Sequence, residues 1–92
     1  MHDQIAELCR SYGIAELSVF GSVARGDDRP DSDVDLLYVS APDSTNSQWD
    51  LWDLRDELAQ LLGRNIDLVP KNSLHWVIRD RVLTDARPVY AA

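Results

Sequence analysis

Cysteine is almost absent from this chain: Cys9 stands alone among 92 residues. That excludes an intramolecular disulfide framework and any zinc site built on cysteine. Cys9 lies with Ile5, Leu8 and Tyr12 at helical spacing, which reads as a small core residue. Long apolar runs are missing too, so no segment reaches the length of a membrane span. The amino-terminal His2, Asp3 and Gln4 carry no secretory pattern, and the cytoplasm is the expected compartment. Positive charge is scarce, with a formal net charge of −7. Domains that hold nucleic acid through its phosphates present clustered basic surface, so direct nucleic-acid binding is not expected. An acidic surface instead favours a basic protein partner. Lysine is reduced to Lys71, and the other eight basic residues are arginines, which retain the capacity for local bidentate contacts with phosphate. Repeats, heptads and low-complexity tracts are lacking. What remains is 45% hydrophobic and 27% charged, the composition of one globular domain, residues 1–92, around one small core.

Helices and strands alternate along the chain. A first helix is expected from about Asp3 to Tyr12, with Asp3 as N-cap and Gly13 as its stop. A strand follows from about Leu17 to Phe20. Gly26 to Ser32, dense in turn formers and carrying Pro30, reads as an exposed loop. A second strand runs from about Val34 to Val39, and Ala41 to Ser47 forms another polar loop. A long helix from about Gln48 to Leu62 carries an apolar stripe of Leu51, Leu54, Leu58, Leu61 and Leu62, which must pack on the sheet, and Gly63 closes it. A third strand, Asn65 to Val69, alternates Ile66 and Leu68 with Asp67, and Pro70 ends it. A last helix from about Ser73 to Thr84 places Leu74, Val77, Ile78 and Val82 on one side, and Pro88-Val89-Tyr90 adds a short edge strand. The predicted fold is α/β (α+β): a small mixed sheet with helices packed against it.

Two elements carry chemistry. Phe20-Gly21-Ser22-Val23-Ala24-Arg25-Gly26 follows an apolar strand, so Gly21-Ser22 reads as a strand turning into a helix start that presents free backbone N–H groups to an anion. Ten residues separate Ser22 from Asp33-Val34-Asp35, whose two carboxylates, two apart, point to one face. Asp67 joins them if the second and third strands are neighbours. Three carboxylates facing a cleft make an all-oxygen site suited to Mg²⁺, which keeps waters or substrate phosphates among its ligands, and paired ions would hold attacking and leaving oxygens. In this reading Gly21 and Ser22 hold a nucleotide's terminal phosphates. Asp35 and Asp67 bind the metal that lowers the pKa of an incoming hydroxyl, and Asp67 is also placed to accept its proton. Arg25, one helical turn beyond Ser22, either reaches the phosphates or pairs at the surface with Asp27 or Asp28. An aspartate pair alone would decorate a solvent-facing strand, and Asp67 alone would be an ordinary exposed strand residue. The shared spacing with Gly21-Ser22 is what turns them toward a metal–nucleotide site.

These residues resemble the nucleotidyltransferase superfamily that includes DNA polymerase beta, whose pattern is G-S-x10-D-x-D with a distant third carboxylate. GSVARG, SDVDLLYV, GRNIDLVP and the terminal RPVY look like its minimal members, the nucleotidyltransferase antitoxins paired with HEPN-domain toxins. The resemblance implies an enzyme that transfers AMP from ATP to a tyrosine hydroxyl of a cognate HEPN ribonuclease toxin and silences it. It also implies a protein acceptor that brings its own binding surface, since no second domain for an antibiotic, a primer or a tRNA is expected. Transfer to RNA or a small molecule, and neutralisation by occlusion without catalysis, are the competing readings.

His2 and His75 are far apart and lack local ligand spacing, so neither is expected to bind metal. Core packing is the default for Trp49, Trp52 and Trp76. Trp49 near the start of the long helix and Trp76 off the stripe of the last one are candidate interface anchors, since exposed tryptophan often serves that role.

Overall fold

A computed structural model of the chain describes residues 2–26, 29, 32–43, 47–74 and 76–91, apart from the side chains of residues 2, 48 and 76–78. Asp27, Asp28, Pro30, Asp31, His75 and the side chains of His2, Trp76, Val77 and Ile78 therefore lie outside the described residues. The elements are α1 (His2–Ser11), β1 (Ile14–Phe20), α2 (Gly21–Arg25), β2 (Val34–Ser40), α3 (Gln48–Leu62), β3 (Ile66–Pro70), a 3₁₀ turn (Lys71–Ser73), α4 (Trp76–Asp85) and β4 (Arg87–Ala91). The strands form one mixed sheet in the order β3-β2-β1-β4. β1 pairs antiparallel with β2 and β4, and β2 pairs parallel with β3. A parallel pair needs a long crossover, and the fifteen-residue α3 supplies it.

The helix α3 has the expected bounds because both ends are chemically specified. Ser47 and Asp50 form a reciprocal capping box: the Ser47 N–H donates to Asp50 Oδ2 at 3.0 Å and Ser47 Oγ accepts from the Asp50 N–H at 3.3 Å, satisfying otherwise orphaned donors. At the other end Gly63 takes φ +69°, and its N–H returns to the Ala59 carbonyl at 2.8 Å. Between the caps Leu54 and Leu58 are fully buried. They pack with Ile5 and Cys9 of α1 on the sheet face made by Leu17, Val34, Leu36 and Ile66. Burial pushes the Cys9 thiol up to about 11, as befits the core residue expected from its spacing. Leu37, one step out of phase with Val34 and Leu36, is also buried. It belongs to the opposite face, where α4 lies against β1 and the 3₁₀ turn against β2.

Several boundaries differ from expectation. β1 begins at Ile14, three residues early, because Ile14 pairs with Ser40 across an irregularity between Ile14 and Glu16 that breaks the alternation a strand normally shows. The helix α1 begins at His2, so Asp3 stands in its first turn rather than at the cap, where its charge still suits the helix dipole. β3 is shifted one residue on, although the Asn65 carbonyl still accepts from the Val34 N–H at 2.9 Å. Helix α4 starts at Trp76 instead of Ser73. The Ser73 hydroxyl donates to the Pro70 carbonyl at 2.9 Å, and Leu74 is extended with ψ +130°. Local side-chain bonding thus closes a separate turn before the helix. Among the described residues no helix is long and apolar enough to cross a membrane.

Candidate active site

The site is assembled where three strands meet. β1 ends at Phe20, the register partner of Asp35 on β2. Asp35 in turn is the register partner of Asp67 on β3. Register partners in a parallel pair present their side chains to the same face of the sheet, with strands about 4.8 Å apart. The condition on which Asp67 depended, that the two strands be neighbours, is thereby met. Their apolar neighbours Val34, Leu36 and Ile66 are buried on the opposite face, while Asp35 is half-buried and Asp67 exposed. Asp33 is exposed and lies just before β2.

After Phe20 the chain turns at Gly21 with φ +73°, a conformation that glycine adopts without penalty. A Cβ at Gly21 would collide with Asp35 Oδ2 and come within 3.3 Å of its Cγ. The backbone of the Gly21-Ser22 turn is thus packed directly against the Asp35 carboxylate, which only a residue without a side chain permits. The short helix α2 that follows is closed by Gly26, whose N–H bonds back to the Ser22 and Val23 carbonyls.

Asp35 is the electrostatic centre. Its carboxyl is held above the usual carboxylate range, first by partial burial, then by the negative charges of Asp67 and Asp33, with Arg25 opposing. Desolvation and like charge both disfavour the ionised form, and a nearby cation favours it. Arg25 also forms an ion pair with Asp85 of α4, 3.4 Å from Nη1 to Oδ2, so it links α2 to α4 while remaining within the field of Asp35. Among the described residues Arg25 pairs with Asp85, and Asp27 and Asp28 lie outside them. Among the described residues no three His, Cys, Asp or Glu side chains are gathered closely enough to hold a metal ion by themselves.

One residue that positions this site escaped the sequence reading. Arg64 lies between α3 and β3, and reaches across to the loop ahead of Asp33. Its Nε donates to the Ser32 carbonyl at 3.1 Å, and its Nη2 lies 2.7 Å from the same carbonyl, 2.7 Å from Ser32 Oγ and 2.9 Å from the Arg29 carbonyl. Ser32 Oγ itself donates to the Arg29 carbonyl at 2.7 Å and accepts from the Arg29 N–H at 3.1 Å. The planar guanidinium is suited to bridging several acceptors. The root of β3 therefore holds the approach to the Asp33-Asp35 pair. Sequence carries only a weak signal of this: an arginine just before a strand that also bears a site carboxylate.

Residues 2–89 match the family described as the nucleotidyltransferase domain, and the chain belongs to that family. Its relatives include the protein adenylyltransferase MntA of Thermococcus cleftensis, 40% identical over 81 residues that span 86% of this chain and 78% of the relative. A candidate protein adenylyltransferase of Methanocaldococcus jannaschii is 34% identical over 83 residues, 90% of this chain and 87% of the relative. Among solved structures, one described as a candidate minimal nucleotidyltransferase superposes with TM-score 0.79 at 37% identity, over 95% of this chain and 87% of that one. A chain of a toxin–antitoxin complex with AMP-PNP superposes with TM-score 0.77 at 25% identity, over 99% and 73%. A complex of a tri-AMPylated Shewanella oneidensis HEPN toxin with its MNT antitoxin shares the fold, at TM-score 0.68 and 22% identity over 99% of this chain and 70% of that one. The small mixed-sheet fold and the nucleotidyltransferase class expected from the sequence both hold.

Proposed function

We propose that this chain is a magnesium-dependent protein adenylyltransferase that acts in the cytoplasm as an antitoxin, transferring AMP from ATP to a tyrosine hydroxyl of a HEPN-domain ribonuclease toxin. The observation that carries the reading is the register that sets Asp35 beside Asp67 while the Gly21 backbone rests against the Asp35 carboxylate. A place for phosphate oxygens and a place for a cation then adjoin, as phosphoryl chemistry requires. The relatives named as protein adenylyltransferases, and the related complex that holds AMP-PNP, support the nucleotide and the class of acceptor.

The donor set fits magnesium. Asp33, Asp35 and Asp67 offer only oxygens, and since they are not gathered into a closed cage the remaining ligands would come from water and the nucleotide's phosphates, as this ion prefers. When bound, a pair of magnesium ions would supply charge neutralisation and would lower the pKa of the incoming hydroxyl. The backbone N–H groups at Gly21-Ser22 and the Ser22 hydroxyl hold the terminal phosphates, and Arg25 contributes positive charge from one turn beyond. The acceptor oxygen forms a new bond to the α-phosphorus as the bond from that phosphorus to the bridging oxygen breaks, and pyrophosphate leaves. The acceptor's proton passes to Asp67, the most open of the in-register pair.

The test is intact-mass spectrometry of the protein encoded beside this chain, after incubation with this chain, Mg²⁺ and each nucleoside triphosphate in turn. The expected result is a gain of adenylyl units from ATP, absent with the Asp33→Asn, Asp35→Asn double variant. Neutralisation of the toxin that survives in full in that variant would establish occlusion in place of catalysis. Transfer to RNA is disfavoured by the net charge of −7.

A further inference from the structure

Trp49 and Trp52 stand three residues apart on α3, off the Leu54 and Leu58 line that enters the core. Trp49 is 71% exposed and Trp52 42%. Their rings meet edge to face, with centroids 5.0 Å apart and planes at 82°, a favourable aromatic geometry. Each ring thus limits the rotamers of the other, so a partner docking on them would immobilise little that is not already ordered. Two neighbouring exposed tryptophans are uncommon on a small domain and are the residues most enriched among interface anchors.

What lies next to the pair gives the surface a direction. Trp52 walls a groove of about 380 Å³ with Leu51 and Arg55 of α3 and Tyr38, Asp67 and Pro70 of the sheet. β3 is the outer strand on this side, so the groove follows the sheet edge and reaches the strand that carries the site carboxylate Asp67. Charge specifies the occupant. Asp53 and Asp56 are exposed on α3 beside the tryptophans, with Asp56 paired to Arg55 at 3.7 Å; Asp67 also lines the groove, and the chain as a whole carries −7. An aromatic centre with an acidic rim is complementary to an apolar or aromatic side chain flanked by basic residues. By contrast, the groove between α1 and α3, lined by Gln4, Glu7, Glu57 and Gln60, offers no exposed aromatic anchor.

We infer that the Trp49–Trp52 surface and its groove are where the acceptor protein docks, through a basic segment with an apolar anchor, delivering its hydroxyl along the β3 edge to Asp67. This rests on the adenylyltransferase reading for the identity of the partner, and not for the existence of the surface.

The experiment uses the full chain and the protein encoded beside it. Partner affinity is measured by calorimetry without nucleotide, and adenylyl transfer is measured against partner concentration, for Trp49→Ala, for Asp53→Arg with Asp56→Arg, and for Glu7→Gln as a control on the other groove. Trp49→Ala should weaken partner binding by about thirtyfold, the size of an interface hot spot. It should raise KM for the partner with little change in kcat, and leave ATP affinity and thermal stability unaltered. The charge reversal should weaken binding and flatten its salt dependence, while Glu7→Gln changes neither quantity. Unchanged partner affinity in both the tryptophan and the charge-reversed variants overturns the inference, as does a wild-type chain that does not bind the partner. Wild-type self-association abolished by Trp49→Ala also overturns it, because a second copy would then be the occupant. Tryptophan-dependent binding with no transfer to the bound partner would retain the docking surface and overturn the catalytic reading.

Discussion

The two faces of the β2–β3 pair differ by a single step in the chain and by everything in chemistry. On one face Val34, Leu36 and Ile66 are buried under α1 and α3. On the other, Asp35 and Asp67 lie in register, one half-buried and one exposed. Alternation of side chains lets a strand support a core and a site with adjacent residues, at the cost of holding carboxylates close together beside an apolar layer. The first face should govern stability and leave chemistry alone. The second should govern chemistry and, in its resting state, work slightly against stability.

The largest effect should come from Asp35→Asn. On the proposed role of Asp35 in holding the metal, its loss should lower transfer by about a thousandfold, several kcal/mol of transition-state stabilisation. The same change should raise the thermal midpoint at neutral pH. The sign follows from the raised pKa of Asp35. Its stabilising contribution is fully present below the unfolded carboxyl value of about 4 and is lost as pH rises through the higher folded value. The variant's advantage in melting temperature should therefore disappear near pH 3, and a midpoint lower than wild type at pH 7 would show that the carboxylate is not under strain.

Leu54→Ala tests the opposite face. Truncating a fully buried side chain should cost about 2–5 kcal/mol in denaturant unfolding, with transfer per folded molecule unchanged. A fall in specific activity as large as the fall in stability would break the separation between the faces.

Gly21→Ala joins the two quantities. The added methyl meets the Asp35 carboxylate and the residue must keep φ +73°, so about 1–3 kcal/mol of strain is expected. Transfer should fall by about a hundredfold through displacement of the turn proposed to hold the phosphates, read as a rise in KM for ATP together with a lower kcat.

Arg64→Ala should be milder. Freeing the Arg29 and Ser32 acceptors should cost about 1–2 kcal/mol and reduce transfer roughly tenfold, an ångström-scale misplacement of the Asp33 approach being enough. Arg64→Lys should restore stability more than activity, because an ammonium lacks the planar fork that spans both carbonyls. Equal recovery of both would reduce Arg64 to a structural tie.

Much of this arrangement was legible in the residues because it is local. Gly21, Ser22, Asp33 and Asp35 lie within fifteen positions, and Ser47 and Gly63 bracket α3 by capping chemistry that acts over a few residues. Boundaries set by competition were less legible: the irregular pairing of Ile14 and the Ser73 turn before α4 depend on partners elsewhere in the fold. The exposure of Trp49 and Trp52 was likewise open, because a tryptophan beside a leucine stripe is compatible with either side of a helix until the sheet beneath it is placed.

By itself the sequence determined the alternation of elements, the glycine turn before a helix start, and the placing of Asp33 and Asp35 at the head of one strand, since each follows from backbone chemistry over one or two turns of chain. Only the tertiary structure decided that β2 and β3 are parallel neighbours, that Asp67 stands in register with Asp35, that Gly21 presses on its carboxylate, and that Arg64 reaches Ser32 across 32 positions. Those contacts join segments far apart along the chain, and their geometry exists only once α1 and α3 have buried the apolar face that brings the strands together.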